Sequence, residues 1–362
     1  MSPIPARATE SLAELLRTLV DIPSVTGDET AIADFVAGRL ARAGRGEVVR
    51  SGRSVVWRGP QRGRPMVVMA GHLDTVPPNG NAKALIEGDQ LFGVGSTDMK
   101  AGDAVMLKLA ETLDLDAARF DLTLVFYDGE EGPAAGNSLG RLLGEMPWIR
   151  QARLAVLLEP TDLQLEVGCN GVMNLEVRVT GKAAHSARPW LGVNAIERAA
   201  DWLASITRFP VTPVMLHGVE FRETLQVTTL HAGKARNVVP DELVANLNHR
   251  FTPDRTAAEA EARLRAMLPA GFEAEVRDAA EPGKVCLDDP EVASFVRRFR
   301  LAVAGKQGWT DVSRFTAAGI PAFNFGPGIV ELCHQAGEYC SIRNLDIAHQ
   351  WLSEFLLRAE DA

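Results

Sequence analysis

The chain has 362 residues, of which 46% are hydrophobic and 23% are charged, and its formal net charge is −9. This length predicts two domains, and the acidic balance argues against nucleic acid or an anionic membrane as a partner. The four cysteines form no CxxC pair, the N-terminus has no apolar segment of signal-peptide length, and no apolar run is long enough to span a bilayer. We therefore expect a cytoplasmic protein with reduced thiols.

The first part of the chain alternates helical patterns with short apolar runs. Helices are predicted over residues 9–20, with Thr9 as the N-cap, over 28–43 and over 101–113. The runs Met66–Ala70, Leu122–Phe126 and Leu154–Leu158 are short and rich in valine and leucine, which is typical of strands buried on both faces of a sheet. This alternation predicts an α/β domain with a mixed, largely parallel sheet between helices.

The pattern changes after Gly171. Residues 172–180 alternate apolar and polar side chains, which indicates a half-exposed strand. Helices over 195–206 and 257–268 and a strand pair over 238–251 complete a β-α-β-β-α-β order that closes near Pro282. The earlier style then returns, with a helix over 291–303, a strand over 320–325 and a helix over 344–358. We therefore predict one domain from residues 1–171 and 283–362, with an inserted α+β domain over 172–282.

Polar residues follow the apolar runs or lie at glycine-flanked turns: His72, Asp98, Glu130, Glu131, Glu159 and His334. We expect them to lie together, because α/β sheets gather ligands at the carboxyl ends of their strands. Taken singly, Asp98 also fits a helix N-cap, and the two adjacent glutamates also fit a solvated turn. Jointly, five of the six offer oxygen or imidazole donors for divalent metal, and the sixth is a carboxylate left to carry protons. In the His72–Leu73–Asp74 triplet, Asp74 can accept a proton from the imidazole nitrogen that does not bind metal.

Five motifs resemble those of the M20 co-catalytic metallohydrolases: GHLDTVP (71–77), GVGSTDMKAG (93–102), YDGEEG (127–132), LEPT (158–161) and FGPG (325–328) with the following His334. The resemblance covers almost the whole chain. It implies two divalent metal ions, zinc by expectation with cobalt or manganese as alternatives. His72 and Glu159 would bind one metal and Glu131 and His334 the other. Asp98 would bridge both and precede a cis peptide bond, and Glu130 would be the general base, with Asp74 beside it as a further catalytic residue.

The same resemblance assigns roles within and beside the inserted domain. It implies a homodimer formed through this lid domain, in which His185 of the GKAAHS segment stabilises an oxyanion. The substrate would be a small N-acyl amino acid held by Asn237, Arg250, Thr310 and Arg314. An ordinary exposed loop histidine and an exposed surface arginine are the alternatives for His185 and Arg314.

The expected reaction is hydrolysis of an amide. Residues 167–196, 235–251 and 308–328 look most like the family's desuccinylases of actinobacterial type, which implies cleavage of N-succinyl-L,L-2,6-diaminopimelate to succinate and diaminopimelate for lysine and cell-wall synthesis. The Gly168–Cys169–Asn170–Gly171 turn lacks the arginines that are typical of this turn in proteobacterial desuccinylases, so an N-acetylornithine-type deacetylase and a carboxypeptidase or dipeptidase remain alternatives. A metal-dependent binding protein is a more distant one, because it has no need of the spare carboxylate of Glu130.

Overall fold

A computed structural model of the chain describes residues 10–357 and divides into two compact units. The first unit extends to Val167 and resumes over Cys286–Ala304 and from Arg314 onward. The second unit comprises Gly168–Val285 and Gly305–Ser313. The short segment Gly305–Ser313 was predicted to belong to the first domain.

The elements of the first unit up to its interruption are α1 (Leu12–Val20), α2 (Thr30–Ala43), β1 (Glu47–Ser51), β2 (Ser54–Arg58), β3 (Met66–His72), β4 (Leu85–Glu87), β5 (Gln90–Phe92), α3 (Lys100–Thr112), β6 (Asp121–Tyr127), α4 (Leu139–Glu145), β7 (Leu154–Leu157) and β8 (Leu165–Val167). The second unit contributes β9 (Gly171–Thr180), α5 (Ala195–Ile206), β10 (Thr212–Leu216), β11 (Val219–Ala232), β12 (Glu242–Phe251), α6 (Ala257–Ala266) and β13 (Phe272–Ala280). The chain ends with α7 (Pro290–Phe299), β14 (Val303–Gly305), α8 (Val312–Ala317), β15 (Ala322–Asn324), β16 (Tyr339–Ser341) and α9 (Ile342–Leu357).

The main sheet of the first unit has the strand order β1-β2-β6-β3-β7-β15-β8-β14 in the described part of the chain. Its centre, β6-β3-β7-β15, is parallel, while β1 pairs antiparallel with β2, β2 with β6, and β8 with β15. Every residue of β3, β6 and β7 is buried, as expected for strands covered on both faces. The strands β16, β5 and β4 form a separate antiparallel sheet.

Helix α1 illustrates how local sequence directs this fold. Ser11 caps it, in a capping box with Glu14, and the predicted cap Thr9 lies outside the described residues. The predicted apolar face is buried: Leu12, Leu15, Leu16 and Leu19. Helix α3 packs closely on the end of β7 because Gly102 has no side chain there. An added Cβ would overlap the Leu158 carbonyl oxygen.

The second unit contains an antiparallel sheet of order β10-β11-β12-β9-β13. Strand β9 alternates buried and half-buried residues, as the sequence predicted. Its buried side chains pack with Ala199 and Trp202 of α5 and with Leu264 of α6 in one core. With the largely parallel sheet of the first unit, this separate antiparallel domain confirms the predicted fold class.

Several predicted elements were wrong in extent. The stretch predicted as a strand pair over 238–251 contains one strand, β12 (Glu242–Phe251), and its hairpin partner is β11. Helix α7 ends at Phe299, because Arg300 adopts a left-handed conformation with φ of 52°. The strand predicted over 320–325 is shorter, and α9 begins earlier than predicted, with Arg358 outside the described residues.

Candidate metal centre and active site

The four parallel strands end beside the residues predicted to bind metal. His72 is the last residue of β3, and it pairs in register with Tyr127 at the end of β6. The glutamates 130 and 131 follow β6, and Glu159 follows β7. His334 lies on the loop between β15 and β16, with φ of 63°. Level strand ends therefore bring side chains from distant parts of the sequence to one edge of the sheet.

Three overlapping groups of these side chains have their ligand atoms within 4.8 Å of one another: His72 with Asp98 and Glu159, Asp98 with Glu131 and His334, and His72 with Glu130 and Glu131. The first two groups are the ligand sets predicted for the two metals. The sulfur of Cys333 lies 3.8 Å from the Ile329 carbonyl oxygen and belongs to none of the groups found among residues 10–357.

Asp98 lies between the two histidines and directs one carboxylate oxygen toward each. Its Oδ1 is 3.1 Å from Nε2 of His72, and its Oδ2 is 3.5 Å from Nε2 of His334. Nε2 of His334 is also 2.9 Å from Oε1 of Glu131. The peptide bond between Asp98 and Met99 is cis, as the family pattern implied. A carboxylate in this position could offer one oxygen to each of two divalent ions.

The imidazole of His72 is oriented by a main-chain contact. Its Nδ1 is 3.0 Å from the Asp74 carbonyl oxygen, whereas the Asp74 carboxylate, the predicted acceptor, is 3.6 Å away. A proton on Nδ1 bonded to this carbonyl leaves Nε2 to face Asp98 and the ligand cluster. The predicted tautomer is therefore supported by the backbone of Asp74 more than by its side chain.

The Asp74 carboxylate instead holds the backbone that carries the two glutamates. Its Oδ1 accepts from the N–H of Glu130 and its Oδ2 from the N–H of Glu131, both at 3.0 Å. Oδ2 also accepts from the Thr26 hydroxyl at 2.9 Å. Asp74 is fully buried, and these bonds satisfy both of its oxygens. It therefore sets the position of the candidate base and of one candidate ligand together.

Negative charge dominates the cluster. Burial acts to lower the pKa of His72, but its hydrogen bond to Asp98 and the charge of Glu130 raise that pKa well above its ordinary value. Burial of Asp98 is likewise outweighed, and hydrogen bonds from His334 and His72 hold its pKa below the usual range. Hydrogen bonds to Asp98 and Glu131 raise the pKa of His334 to about 10. Divalent cations would neutralise this surplus, and the donor set suits them.

Glu338 was missed by the sequence reasoning. It is 1% exposed, and its Oε1 accepts from the backbone N–H groups of Thr97 and Asp98 at 3.0 and 3.2 Å. Burial raises its pKa to about 7, although these backbone bonds oppose the shift. A glutamate four positions after His334 carries no sequence signal for contact with a segment so far away in the chain.

Two of the predicted catalytic and substrate-binding segments meet within the second unit. His185 forms a bridge with Val238, and the Ser186 N–H donates to the Asn237 carbonyl at 2.9 Å. Nδ1 of His185 accepts from the Ala187 N–H at 3.0 Å, so the neutral ring carries its proton on Nε2. Because the side chains of His185 and Asn237 are exposed, this loop can present both to a ligand.

Arg250 lies on β12 of the same unit, where its guanidinium is half-buried. Its Nε donates to Asn248 at 3.2 Å, and its two Nη atoms have no hydrogen-bond partner among residues 10–357. Burial lowers the pKa of this group. The carbonyl oxygen of Thr310, also in this unit, accepts from the Cys169 thiol at 3.5 Å. An unengaged guanidinium fork in a half-buried position suits a ligand carboxylate.

Arg314 belongs to the first unit and has a local role there. Its Nη2 donates to the Ala134 carbonyl oxygen at 3.1 Å, and its guanidinium packs where Gly140 leaves space. Ala134 follows the Glu130–Glu131 turn, so this contact supports the segment after the candidate base. The contact of Arg314 with substrate stays a prediction.

A largely parallel α/β sheet with such a cluster at its strand ends, and a separate antiparallel domain, define the class of metal-dependent amidohydrolases. The chain belongs to peptidase family M20/M25/M40, whose pattern its residues 68–358 match. None of the helices described between residues 10 and 357 has both the length and the apolar character needed to cross a bilayer.

Two named relatives are similar over nearly their full length. The putative succinyl-diaminopimelate desuccinylase of Mycobacterium tuberculosis is 41% identical over 346 residues, covering 95% of this chain and 97% of the relative. The succinyl-diaminopimelate desuccinylase of Corynebacterium glutamicum is 37% identical over 352 residues, covering 94% and 95%.

Solved structures share the fold at lower identity. A tripeptidase from Staphylococcus aureus superposes with a TM-score of 0.80 at 21% identity, over 96% of this chain and 97% of its own. A dinuclear metal-binding M20 peptidase from Bacillus subtilis superposes with a TM-score of 0.70 at 14% identity, over 96% of both chains. At these identities the likeness establishes the fold alone.

Proposed function

We propose that this chain hydrolyses the amide of N-succinyl-L,L-2,6-diaminopimelate to succinate and L,L-diaminopimelate, a step in the synthesis of diaminopimelate and lysine. The single observation that carries the reaction class is the pair of ligand groups that share Asp98, with the Glu130 carboxylate beside them. The choice of substrate is supported by the two desuccinylase relatives at 41% and 37% identity.

The metal ligands follow from the two groups. His72 and Glu159 would hold one divalent ion, Glu131 and His334 the other, and Asp98 would contribute one oxygen to each. Zinc is the proposed metal, and cobalt or manganese fits the same donors. When bound, such ions lower the pKa of a shared water and polarise the amide carbonyl.

Glu130 would carry the proton. Its Oε2 lies 4.0 Å from Nε2 of His72, so it borders the ligand cluster, and it is not needed in either predicted ligand set. We propose that it accepts a proton from the attacking water and delivers it to the departing amine. Asp74 would fix the reach of this carboxylate, because it binds the backbone N–H of Glu130.

The second unit would act as a lid and dimerisation domain. The Nε2–H of His185 is available as a donor, and we propose that it stabilises the oxyanion formed on the scissile carbonyl. Asn237, on the adjoining segment, would contact the substrate, and the free fork of Arg250 would bind one of its carboxylates. Thr310 would line the same region, and Arg314 would act through the segment after Glu131.

Apolar side chains support a homodimer formed by this unit. Trp190 is 74% exposed and Leu191 is 56% exposed, and Val193 and Ile196 nearby are also exposed. Burial of such side chains against a second copy would stabilise a dimer. Sedimentation of the full chain and of W190D tests this, and a monomer in both cases would contradict it.

The decisive experiment measures hydrolysis by the zinc-loaded chain of three substrates: N-succinyl-diaminopimelate, N-acetylornithine and a dipeptide, with E130A as the control. Selective cleavage of the succinyl compound, lost in E130A, is the expected result. Selective cleavage of another substrate would overturn the substrate assignment, and metal binding without any hydrolysis would overturn the proposal of an enzyme.

The position of His185 is tested by mixing two inactive variants, H185A and E130Q, under conditions that exchange subunits. If His185 acts across a dimer, mixed dimers contain one site with both residues intact, and activity returns. If it acts within its own chain, every site lacks one residue and the mixture stays inactive.

A further inference from the structure

The segment that carries Asp98 and the segment that carries His334 are tied together by bonds that involve no side chain of a candidate metal ligand. Oε1 of Glu338 accepts from the N–H groups of Thr97 and Asp98 at 3.0 and 3.2 Å. The Gly93 N–H donates to the Glu338 carbonyl oxygen at 3.1 Å. Both the side chain and the backbone of Glu338 therefore hold the strand-to-helix connection that presents Asp98.

Thr97 contacts the loop that carries His334 on both sides of that histidine. Its hydroxyl donates to the Tyr339 carbonyl oxygen at 3.0 Å and accepts from the Ile329 N–H at 2.7 Å. An added Cβ on Gly328 would overlap the Thr97 carbonyl oxygen, so the two segments pass in direct contact. The loop that carries His334 is thus held on both sides of that residue by the residue that precedes Asp98.

The acceptor role of Glu338 has a clear physical reason. Helix α3 begins at Lys100, and the side chain of its N-cap residue, Met99, makes no capping hydrogen bond. The N–H groups just before this helix still need acceptors, and the positive end of the helix dipole favours an anion. Glu338 supplies the acceptor oxygen for these N–H groups from a distant segment. Burial of a carboxylate is costly without such donors, so their geometry defines where Glu338 can lie.

We propose that Glu338 is a positioning residue for the paired metal site: it fixes the backbone of Asp98 and couples it to the loop of His334. Asp98 contributes to both candidate ligand groups, and His334 to one of them. Loss of the Glu338 carboxylate would therefore weaken metal binding at both positions, and more strongly at the position that uses His334. This inference rests on the metal site proposed above.

The test measures metal affinity in the full chain, stripped of metal and titrated with Zn²⁺ against a chromophoric chelator. The visible spectrum of the Co²⁺-loaded protein reports the coordination geometry. E338A removes the acceptor, and E338D keeps the charge but cannot reach the same N–H groups. In E338Q the amide oxygen can take over both bonds made by Oε1. We expect the second metal, the one held by Glu131 and His334, to bind about tenfold to 100-fold more weakly in E338A and E338D. A loss of this size is usual when a residue that orients metal ligands is removed. E338Q should recover most of the lost affinity.

Asp121 offers a matched control. It is 4% exposed and accepts from the backbone N–H groups of Arg62 and Arg64 at 3.0 to 3.1 Å, at the opposite end of β6 from the candidate ligands. D121A should lower the melting temperature without changing the Zn²⁺ affinities or the Co²⁺ spectrum.

Three outcomes decide the inference. Weak second-metal binding in E338A and E338D, with recovery in E338Q and normal binding in D121A, supports it. Unchanged affinities in E338A and E338D overturn it, and so does an equal loss in D121A. If E338A does not fold, the comparison of E338D with E338Q decides. Failure of the unsubstituted chain to bind metal would instead reject the proposed function.

Discussion

The carboxylate of Asp74 accepts a hydrogen bond from the backbone N–H of Glu131 at 3.0 Å, and its second oxygen accepts one from Glu130. One buried side chain thereby positions a candidate metal ligand and the candidate base. The imidazole of His72 also contacts Asp74, through the main-chain carbonyl oxygen. Asp74 is therefore the point at which the ends of β3 and β6 are aligned.

D74N tests this alignment. The amide that replaces the carboxylate has one acceptor and one donor, so its NH₂ group must face a backbone N–H. We expect the turn to shift and kcat to fall by about 10- to 100-fold, the usual effect of removing a residue that orients ligands. Steady-state kinetics measure the fall of kcat, and the zinc content shows whether the metal is still bound.

Asp89 provides the matched control for that variant. It accepts from the Arg343 backbone N–H at 3.0 Å and from the Ser341 hydroxyl at 2.7 Å, at an exposed position. D89N should leave kcat unchanged. An equal fall of kcat in D89N and D74N would contradict a specific role for Asp74.

E130Q should separate metal binding from proton transfer. The glutamine is similar in size but cannot accept and deliver a proton, so we expect kcat to fall by about 10²- to 10⁴-fold. Metal content, measured by atomic absorption, should match that of the unsubstituted chain. Loss of metal from E130Q would instead identify Glu130 as a ligand.

Removal of metal should affect both activity and stability. The carboxylates of the cluster repel one another without a cation, and a ligand that binds only the folded state stabilises it by about 4 kcal/mol at 1,000 times its dissociation constant. Prolonged dialysis against a chelator should therefore abolish hydrolysis and lower the melting temperature. Zn²⁺, but not Ca²⁺, should restore both. A full rate after the metal has been shown to be absent would refute the proposed chemistry.

R250A should weaken substrate binding. A hydrogen bond to a charged group contributes about 1.5 to 3 kcal/mol, so we expect KM to rise by roughly tenfold or more. R250K keeps the charge without the planar fork and should recover only part of the loss. Arg222, which is 60% exposed and pairs with Glu220 in the same unit, supplies the control R222A. An unchanged KM in R250A would remove Arg250 from the binding site.

The pH dependence of stability should reflect His349 on α9. Burial, with a smaller effect of the nearby Lys108, lowers its pKa from the ordinary 6.5 to about 4. Between these values the unfolded chain binds a proton that the folded chain does not, so the free energy of unfolding decreases as the pH falls from 6.5 to 4. Urea titrations should show a smaller decrease for H349Q. Equal slopes for both proteins would exclude this contribution.

The candidate ligands could be predicted because each follows an apolar strand or a glycine-flanked turn. His72, Glu131 and Glu159 come from adjacent parallel strands, so strand prediction alone was enough to bring them together. The parallel sheet followed from three short runs that are almost entirely apolar. These features are local in sequence, and periodicity detects them.

Other features depend on contacts that no local pattern encodes. Glu338 contacts Asp98 across 240 positions. The Asp74 carboxylate accepts a hydrogen bond from the backbone N–H of Glu130, and a pattern of side chains does not reveal a contact to the backbone. The hairpin of β10 and β11 was missed because β11 is largely exposed toward its C-terminal end and its apolar residues form no continuous run. Helix α7 was predicted too long because a left-handed arginine at its end is not a usual stop signal.

The order of the ligands along the chain has a consequence for biosynthesis. His72, Asp98, Glu131 and Glu159 are synthesised before the second unit, whereas His334 and Glu338 emerge after it. A ribosome that has completed the second unit therefore carries a sheet that still lacks β15, and a candidate centre that still lacks its fifth ligand, His334. Loading of the second metal can only follow release of the C-terminal segment, and a chain cut short before residue 334 would be folded in part yet unable to assemble the pair.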